Sequence, residues 1–344
     1  MKAMRYTHSG GPEVLVYESV DDPTPGGRDV VVRVAAAALN HLDVVQRHGW
    51  YHLPGFTFPH IAGMDVAGEV VAVGADVSSV ALGDRVVIDP SLSSVPDGSK
   101  LAGRGDLYGE LGVIGANADG GYAELCLAPD THVYRLPDEM SFAAAAAFPT
   151  AWLTAWHALF TVGGLTAGET VLIHAAGSGV SVAAIQLAKH AGATVLATAG
   201  SEGKLERATA IGADHVLNNR TGDIAGWAHE VTAGPGVHMV FDHVGTALWA
   251  PSLFALRPQG RLVNCGNTSG DTATIPSLGF LFHHGIKILG SDPYRYEEFA
   301  AAWAAFCAGS FQTPIDSVFP LEGAADAQEK MLRGDVFGKI LLEP

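Results

Sequence analysis

The residues best placed to do chemistry begin with the segment VLIHAAGSGVSVAAIQLAKHAGA. An apolar run leads into a turn of small residues, and the turn opens a stretch that puts Ala183, Ala184, Leu187 and Ala188 on one helical face. Small side chains at such a turn let the backbone approach a pyrophosphate, whose charge sits on the first amides of the helix. A strict G-x-G-x-x-G spacing would put glycine at Ala176, Ser178 and Ser181; Gly177 and Gly179 stand between those places. The glycines alone would fit any strand-to-helix turn. Strand, turn, helix and a following strand together point to a dinucleotide held at Gly177, Ser178 and Gly179.

That following strand, ATVLATAGS, bears on which dinucleotide. It ends at Ala199-Gly200-Ser201, without the carboxylate that bonds the ribose hydroxyls of NADH. Ser201 can donate to a 2′-phosphate, and Lys204, one helical turn on, supplies a point charge. A Ser201 that only caps a helix would look the same. The two roles are compatible, and NADPH is the expected cofactor. A second stretch crowds His41, His48, His52 and His60 with Asp43 and Asp65. Its spacing matches no metal-ligand pattern, and solvated or structurally bonded histidines are the expectation.

These residues need a scaffold, and the chain supplies two textures. The first third holds short β-type runs, VLVYESV, DVVVRVAAAAL, GEVVAVG and GDRVVI, separated by turn residues. They read as a compact, mostly antiparallel β domain. From about Ser141 helical stretches take over, and the alanine run at 143–147 reads as packed helix. Strand-type runs then alternate with helical segments: ETVLIHAAG, ATVLATAGS, ADHVLN, VHMVFDHVG, GRLVNCG and IKILGS. That alternation calls for a six-stranded, doubly wound parallel sheet.

Composition narrows the function classes. With 20 Lys+Arg against 36 Asp+Glu the formal charge is −16, and no basic cluster offers a face for nucleic acid or an anionic membrane. At 48% hydrophobic and 16% charged residues the chain can bury large cores. The start, MKAMRYTHSGG, lacks a signal-peptide apolar core, and no apolar run reaches the roughly 18 residues of a membrane span. Cys126, Cys265 and Cys307 form no disulfide framework. A cytoplasmic, soluble protein is the expectation.

The blocks LNHLDVVQRHG, PHIAGMDVAGEVVAVG, GDRVVI, DGGYAEL, TAWHAL, VFDHVG, GRLVNCGNTSG and FGKILL, in this order around the dinucleotide turn, resemble the medium-chain dehydrogenase/reductase superfamily over essentially the whole chain. The resemblance implies an α/β protein with a GroES-like catalytic domain at 1–132 and 292–344 and a Rossmann domain at 133–291. It implies a cofactor cleft touched by Asn40, Thr150, Thr154, Val180, Val244, Gly266, Asn267 and Thr268, beside Gly177, Ser178, Gly179, Gly200, Ser201 and Lys204. It also implies a homodimer. Zinc-using relatives carry Cys, His and a third ligand, usually Cys, where this chain has Asn40, Met64 and Thr150. Their structural zinc sits on four cysteines, replaced here by Ser94, Asp97, Lys100 and Tyr108. Such side chains make no thiolate/imidazole site, so no zinc is expected.

Without a Lewis acid, hydride addition to a quinone or a conjugated C=C is more feasible than to an isolated ketone. The resemblance therefore points to a zinc-independent quinone oxidoreductase-like enzyme using NADPH on a small carbonyl or quinone substrate. Asn40 and Tyr51 are its candidate catalytic donors, although for Tyr51 in GWYH an aromatic lining the cleft mouth is the favoured reading. His283 and His284 are candidates for shaping substrate selectivity, and Cys265 reads as a small buried hydrophobe. Two alternatives stay open: an alcohol dehydrogenase with a non-standard metal, and a non-catalytic NADP(H)-binding sensor.

Overall fold

The structure, a computed structural model, describes residues 1–92, 112–309 and 311–344. The chain divides into two compact units. The first comprises Met1–Thr150, Arg295–Ala308 and Thr313–Pro344; the second comprises Ala151–Tyr294 and Gly309–Gln312. The boundary falls at Thr150 instead of 132 for a reason of pairing. The strand Val133–Arg135 pairs with Arg85–Ile88. The helix Phe142–Ala146 then packs on Asp29–Ala38 and Asp65–Val73. Ser141 starts that helix by accepting the Ala144 N–H at 3.1 Å. Ala145 and Ala146 on this helix, and Ala36, Ala37 and Ala38 on the first of those strands, are all buried.

In the first unit Asp29–Ala38, Asp65–Val73, Arg85–Ile88 and Val133–Arg135 follow one another antiparallel. Lys339–Glu343 joins the other edge of Asp29–Ala38, antiparallel, and pairs in parallel with Ile315–Pro320. The register is what matters for the site. Ala38 stands opposite both Asp65 and Leu341. Side chains just past Ala38, at Asp65 and just before Leu341 are thereby brought together from distant parts of the chain.

Among the described residues of the second unit, six strands form one parallel sheet. Their order is His215–Asn218, Thr194–Ala199, Thr170–Ile173, Val237–Asp242, Leu256–Asn264 and Lys287–Gly290. Each coincides with a strand-type run in the sequence. Helices cover the sheet, so Val171, Leu172, Ile173, Val195 and Leu196 are wholly buried and read as continuous apolar runs instead of alternating ones. The strand order reverses at Thr170–Ile173, and folds of this kind hold ligands at the carboxyl ends beside that reversal. Among the described residues no helix is long and apolar enough to cross a membrane.

Candidate functional site

The first unit gathers a polar cluster around Asp65, which is fully buried. Its Oδ1 accepts the Thr150 N–H at 2.9 Å and the Thr150 hydroxyl at 2.5 Å. Its Oδ2 accepts from Asn40 Nδ2 at 3.0 Å and from Lys339 Nζ at 3.1 Å. Lys339, only 5% exposed, also donates to Asn40 Oδ1 at 2.8 Å. A buried ion pair survives its desolvation only when the remaining hydrogen-bonding capacity is engaged, and four donors on Asp65 meet that condition. Asn40 is committed at both ends of its amide, with a longer contact from Nδ2 to Ala38 O at 3.4 Å. Its backbone N–H, donated to Asp43 Oδ2 at 2.8 Å, opens the helix His41–His48.

The cluster gathers two of the three positions at which zinc-using relatives carry ligands. Asn40 and Thr150 both bond Asp65, while Met64 is buried against Leu53 and Ala116. An amide, a thioether and a hydroxyl with an ammonium among them do not fit Zn²⁺, which takes thiolate, imidazole or carboxylate and would be repelled by the cation. Among the described residues no group of three or more His, Cys, Asp or Glu is arranged to hold a metal. Ser94, Asp97, Lys100 and Tyr108 lie outside the described residues.

The crowded histidines disperse into separate structural roles. His60 Nε2 lies 3.1 Å from the Gly115 carbonyl, and His52 Nε2 lies 2.9 Å from that of Gln46. The His52 ring stacks on Phe56 at 4.1 Å between centroids, and His48 stacks on Trp50 at 4.3 Å. Asp43 is buried and accepts the Tyr122 hydroxyl at 2.9 Å. Burial pushes its carboxyl up to about 6, the hydrogen bonds from Asn40 and Tyr122 oppose the rise, and the Asp65 charge adds to it. Tyr51 is 44% exposed beyond the far end of His41–His48, about 12 Å along an eight-residue helix from Asn40. The structure thus unites Asn40 with Thr150 through Asp65.

The second unit builds the dinucleotide cradle at the carboxyl ends of four strands. After Thr170–Ile173 the chain turns through Ala175, held at a left-handed φ of 50° that favours glycine, into the helix Gly179–His190. Ser178 is its N-cap but makes no side-chain capping bond. Ser181 turns inward, donating to His174 O at 2.6 Å and lying 2.7 Å from His243 Nε2. The first-turn amides at Gly179 and Val180 therefore lack a side-chain cap and fit an anionic pyrophosphate. Beneath them His174 is buried between Thr198 Oγ1 at 2.9 Å and Ser252 Oγ at 2.8 Å, and burial holds it well below the usual imidazole range.

Val244, Gly266, Asn267 and Thr268 follow the fourth and fifth strands. Val244 donates its N–H to Asp242 Oδ1 at 2.8 Å, and Thr268 donates its own to His243 O at 3.3 Å. The two loops close on Gly245, where φ is +82° and an added Cβ would lie 2.6 Å from Gly270 O. Thr154 is half-buried on the helix Pro149–Trp156. Cys265 is inert as a nucleophile, since burial pushes its thiol up to about 12. His284 Nδ1 lies 3.1 Å from Phe280 O, a bond within its own helix.

Gly200 and Ser201 follow the strand Thr194–Ala199, and Ser201 N-caps Glu202–Ala210 without a side-chain capping bond. Lys204 lies in the first turn of that helix. Arg220 joins them: a Cβ added to Gly200 would sit 2.8 Å from Arg220 Nε. The parallel register Ala199↔Asn218 carries residue 220 to the end of the second strand. Sequence reasoning missed Arg220, because it belongs to no local motif and only the strand order makes it a neighbour of Gly200. It missed Lys339 for the same reason; the block FGKILL was the available signal. Asp65 was noticed, but grouped with the histidines instead of with Asn40.

Comparison with known proteins matches residues 26–138 to the family model "Alcohol dehydrogenase GroES-like domain" and residues 179–308 to "Zinc-binding dehydrogenase". A quinone oxidoreductase of Pseudomonas aeruginosa is 32% identical over 352 residues, covering 100% of this chain and 99% of its own. Among solved structures, an NAD-dependent alcohol dehydrogenase superposes with a TM-score of 0.94 at 38% identity, with all of both chains covered. The Escherichia coli quinone oxidoreductase complexed with NADPH gives a TM-score of 0.84 at 28% identity, again over all of both chains.

Proposed function

The chain belongs to the quinone oxidoreductase-like branch of the medium-chain dehydrogenase/reductase superfamily and is an oxidoreductase; from that premise we propose that it is a zinc-independent, NADPH-dependent reductase of quinones or α,β-unsaturated carbonyl compounds. The observation that carries the reading is the Asp65–Lys339 ion pair with Asn40 and Thr150 around it. A site already holding an ammonium favours an acceptor whose developing charge lies on oxygen, and it disfavours a divalent metal. When bound, NADPH supplies the hydride. The first-turn amides of Gly179–His190 bind the pyrophosphate, and Ser201, Lys204 and Arg220 bind the 2′-phosphate. The loops of Val244 and of Gly266–Thr268 orient the nicotinamide half. Tyr51 remains a candidate donor to substrate, while Asn40, its amide engaged by Asp65 and Lys339, orients the cluster.

The NADPH complex of the similar Escherichia coli enzyme supports this cofactor. A second reading, NADH, has its own observations: the similar alcohol dehydrogenase is NAD-dependent by name, and Glu202 adjoins Ser201. Glu202 is bonded to Asn218 Nδ2 at 2.9 Å, which engages it away from a ribose. We further propose a cytoplasmic homodimer. The three free cysteines fit a reducing compartment. The edge strand Lys287–Gly290 and the neighbouring helix Leu278–His284, with Leu278 and Phe282 each 68% exposed, offer a face for a second copy. Elemental analysis together with NADPH oxidation across a panel of quinones and enones tests the reading. Turnover without stoichiometric metal is expected; stoichiometric zinc, or no turnover with any acceptor, would overturn it.

A further inference from the structure

We propose that Lys339 is the oxyanion-binding cation of this reductase, an internal ammonium at the place where zinc-using relatives hold their metal; the proposal rests on the reductase reading above. Two of the three metal-ligand positions, Asn40 and Thr150, are bonded to Asp65, and Lys339 bonds both Asp65 and Asn40. Stability does not explain the arrangement, because well-packed apolar side chains can replace a buried ion pair without loss. Hydrogen-bond capacity points the same way. An ammonium has three N–H donors. Asp65 and Asn40 take two of them, which leaves one for an oxygen brought by a ligand. Asn40 Nδ2 is itself turned onto Asp65 at 3.0 Å, so the strong donor of the cluster is the ammonium. Asn40 and Thr150 are half-buried while Asp65 is sealed, so a ligand reaches the cluster from the side of those two residues. Asp65 and Asn40 are then positioning residues that hold Nζ in place.

In the reaction, the enone accepts hydride at its β-carbon while NADPH is oxidised to NADP⁺. The C=C electron pair shifts toward the carbonyl carbon, and the carbonyl π pair moves onto oxygen. The resulting enolate oxygen is stabilised by the Lys339 ammonium. A proton from solvent at the α-carbon then gives the saturated ketone.

The test compares wild type with Lys339→Arg, Lys339→Met and the double variant Lys339→Met/Asp65→Asn. The double variant removes both charges and so separates loss of an ion pair from loss of a cation. The probe is 4-nitrophenol, whose absorbance reports the phenolate, read alongside melting temperature, kcat and KM. Wild type and Lys339→Arg should shift bound nitrophenol toward the phenolate. The double variant should melt above Lys339→Met yet lose the shift, with kcat down by about 10²- to 10³-fold, the usual cost of one oxyanion donor. A double variant that keeps both the shift and kcat overturns the proposal, as does a wild type that binds no phenolate. Should the double variant not fold, Lys339→Gln takes its place with the same readouts. Phenolate binding without turnover on any acceptor would sink the reductase reading alone. Turnover without the phenolate shift would sink the role of Lys339 alone.

Discussion

Replacing Arg220 with alanine should weaken NADPH and spare NADH. Its Nε lies against Gly200, 2.8 Å from where a Cβ would stand, and Gly200 follows the strand whose end faces the adenosine ribose in dinucleotide-binding folds of this kind. A cation about 4 Å from a phosphate attracts it by about 4 kcal/mol at an effective dielectric of about 20. Arg220 is exposed, and solvent and salt reduce the net effect to about 1–2 kcal/mol, or roughly tenfold in affinity. Lys204→Ala should behave alike, and the double variant should exceed either. The assay is initial rate at saturating acceptor over a range of NADPH and of NADH, at low and high salt. The KM for NADPH should rise about tenfold and lose much of its salt dependence, with kcat nearly unchanged, because the 2′-phosphate binds ground and transition states alike. An equal loss for NADPH and NADH would refute the phosphate site.

Ala199→Asp should move preference from NADPH toward NADH, since a carboxylate there bonds a free ribose hydroxyl and repels a phosphate; the ratio of the two kcat/KM values reads it. Asp43 has its carboxyl raised from 3.8 to about 6, a difference worth about 3 kcal/mol. That stability is present in full below 3.8 and lost as pH rises through about 6. Urea midpoints of wild type should therefore fall relative to Asp43→Asn across this window, and a pH-independent difference would contradict the assignment. Gly245→Ala should cost about 1–3 kcal/mol from the left-handed backbone alone, with more from contact with Gly270 O, and should weaken NADPH binding, read by urea unfolding and by cofactor fluorescence.

The Rossmann half was legible because its signals are local. ETVLIHAAG and ATVLATAGS are apolar runs closed by small residues, and each becomes a strand ending at the cradle. Ser201 was legible as a helix start for the same reason. The end of the first unit was not, because Val133–Arg135 shows its membership only by pairing with Arg85–Ile88. The Asp65 cluster joins residues separated by 25, 85 and 274 positions. No spacing rule spans such distances; the antiparallel register at Ala38 does. Asn40 and Thr150 were found through resemblance, by the ligands they lack, while the ammonium between them left no mark in local pattern.

The most direct test of hydride transfer without a metal is the fate of a label. Purified protein treated with chelator, then given an enone and NADPH fully deuterated at nicotinamide C4, should form a saturated product with one deuterium at the β-carbon, at the rate of untreated protein. Product without deuterium, or activity lost to the chelator and restored by zinc, would contradict the account.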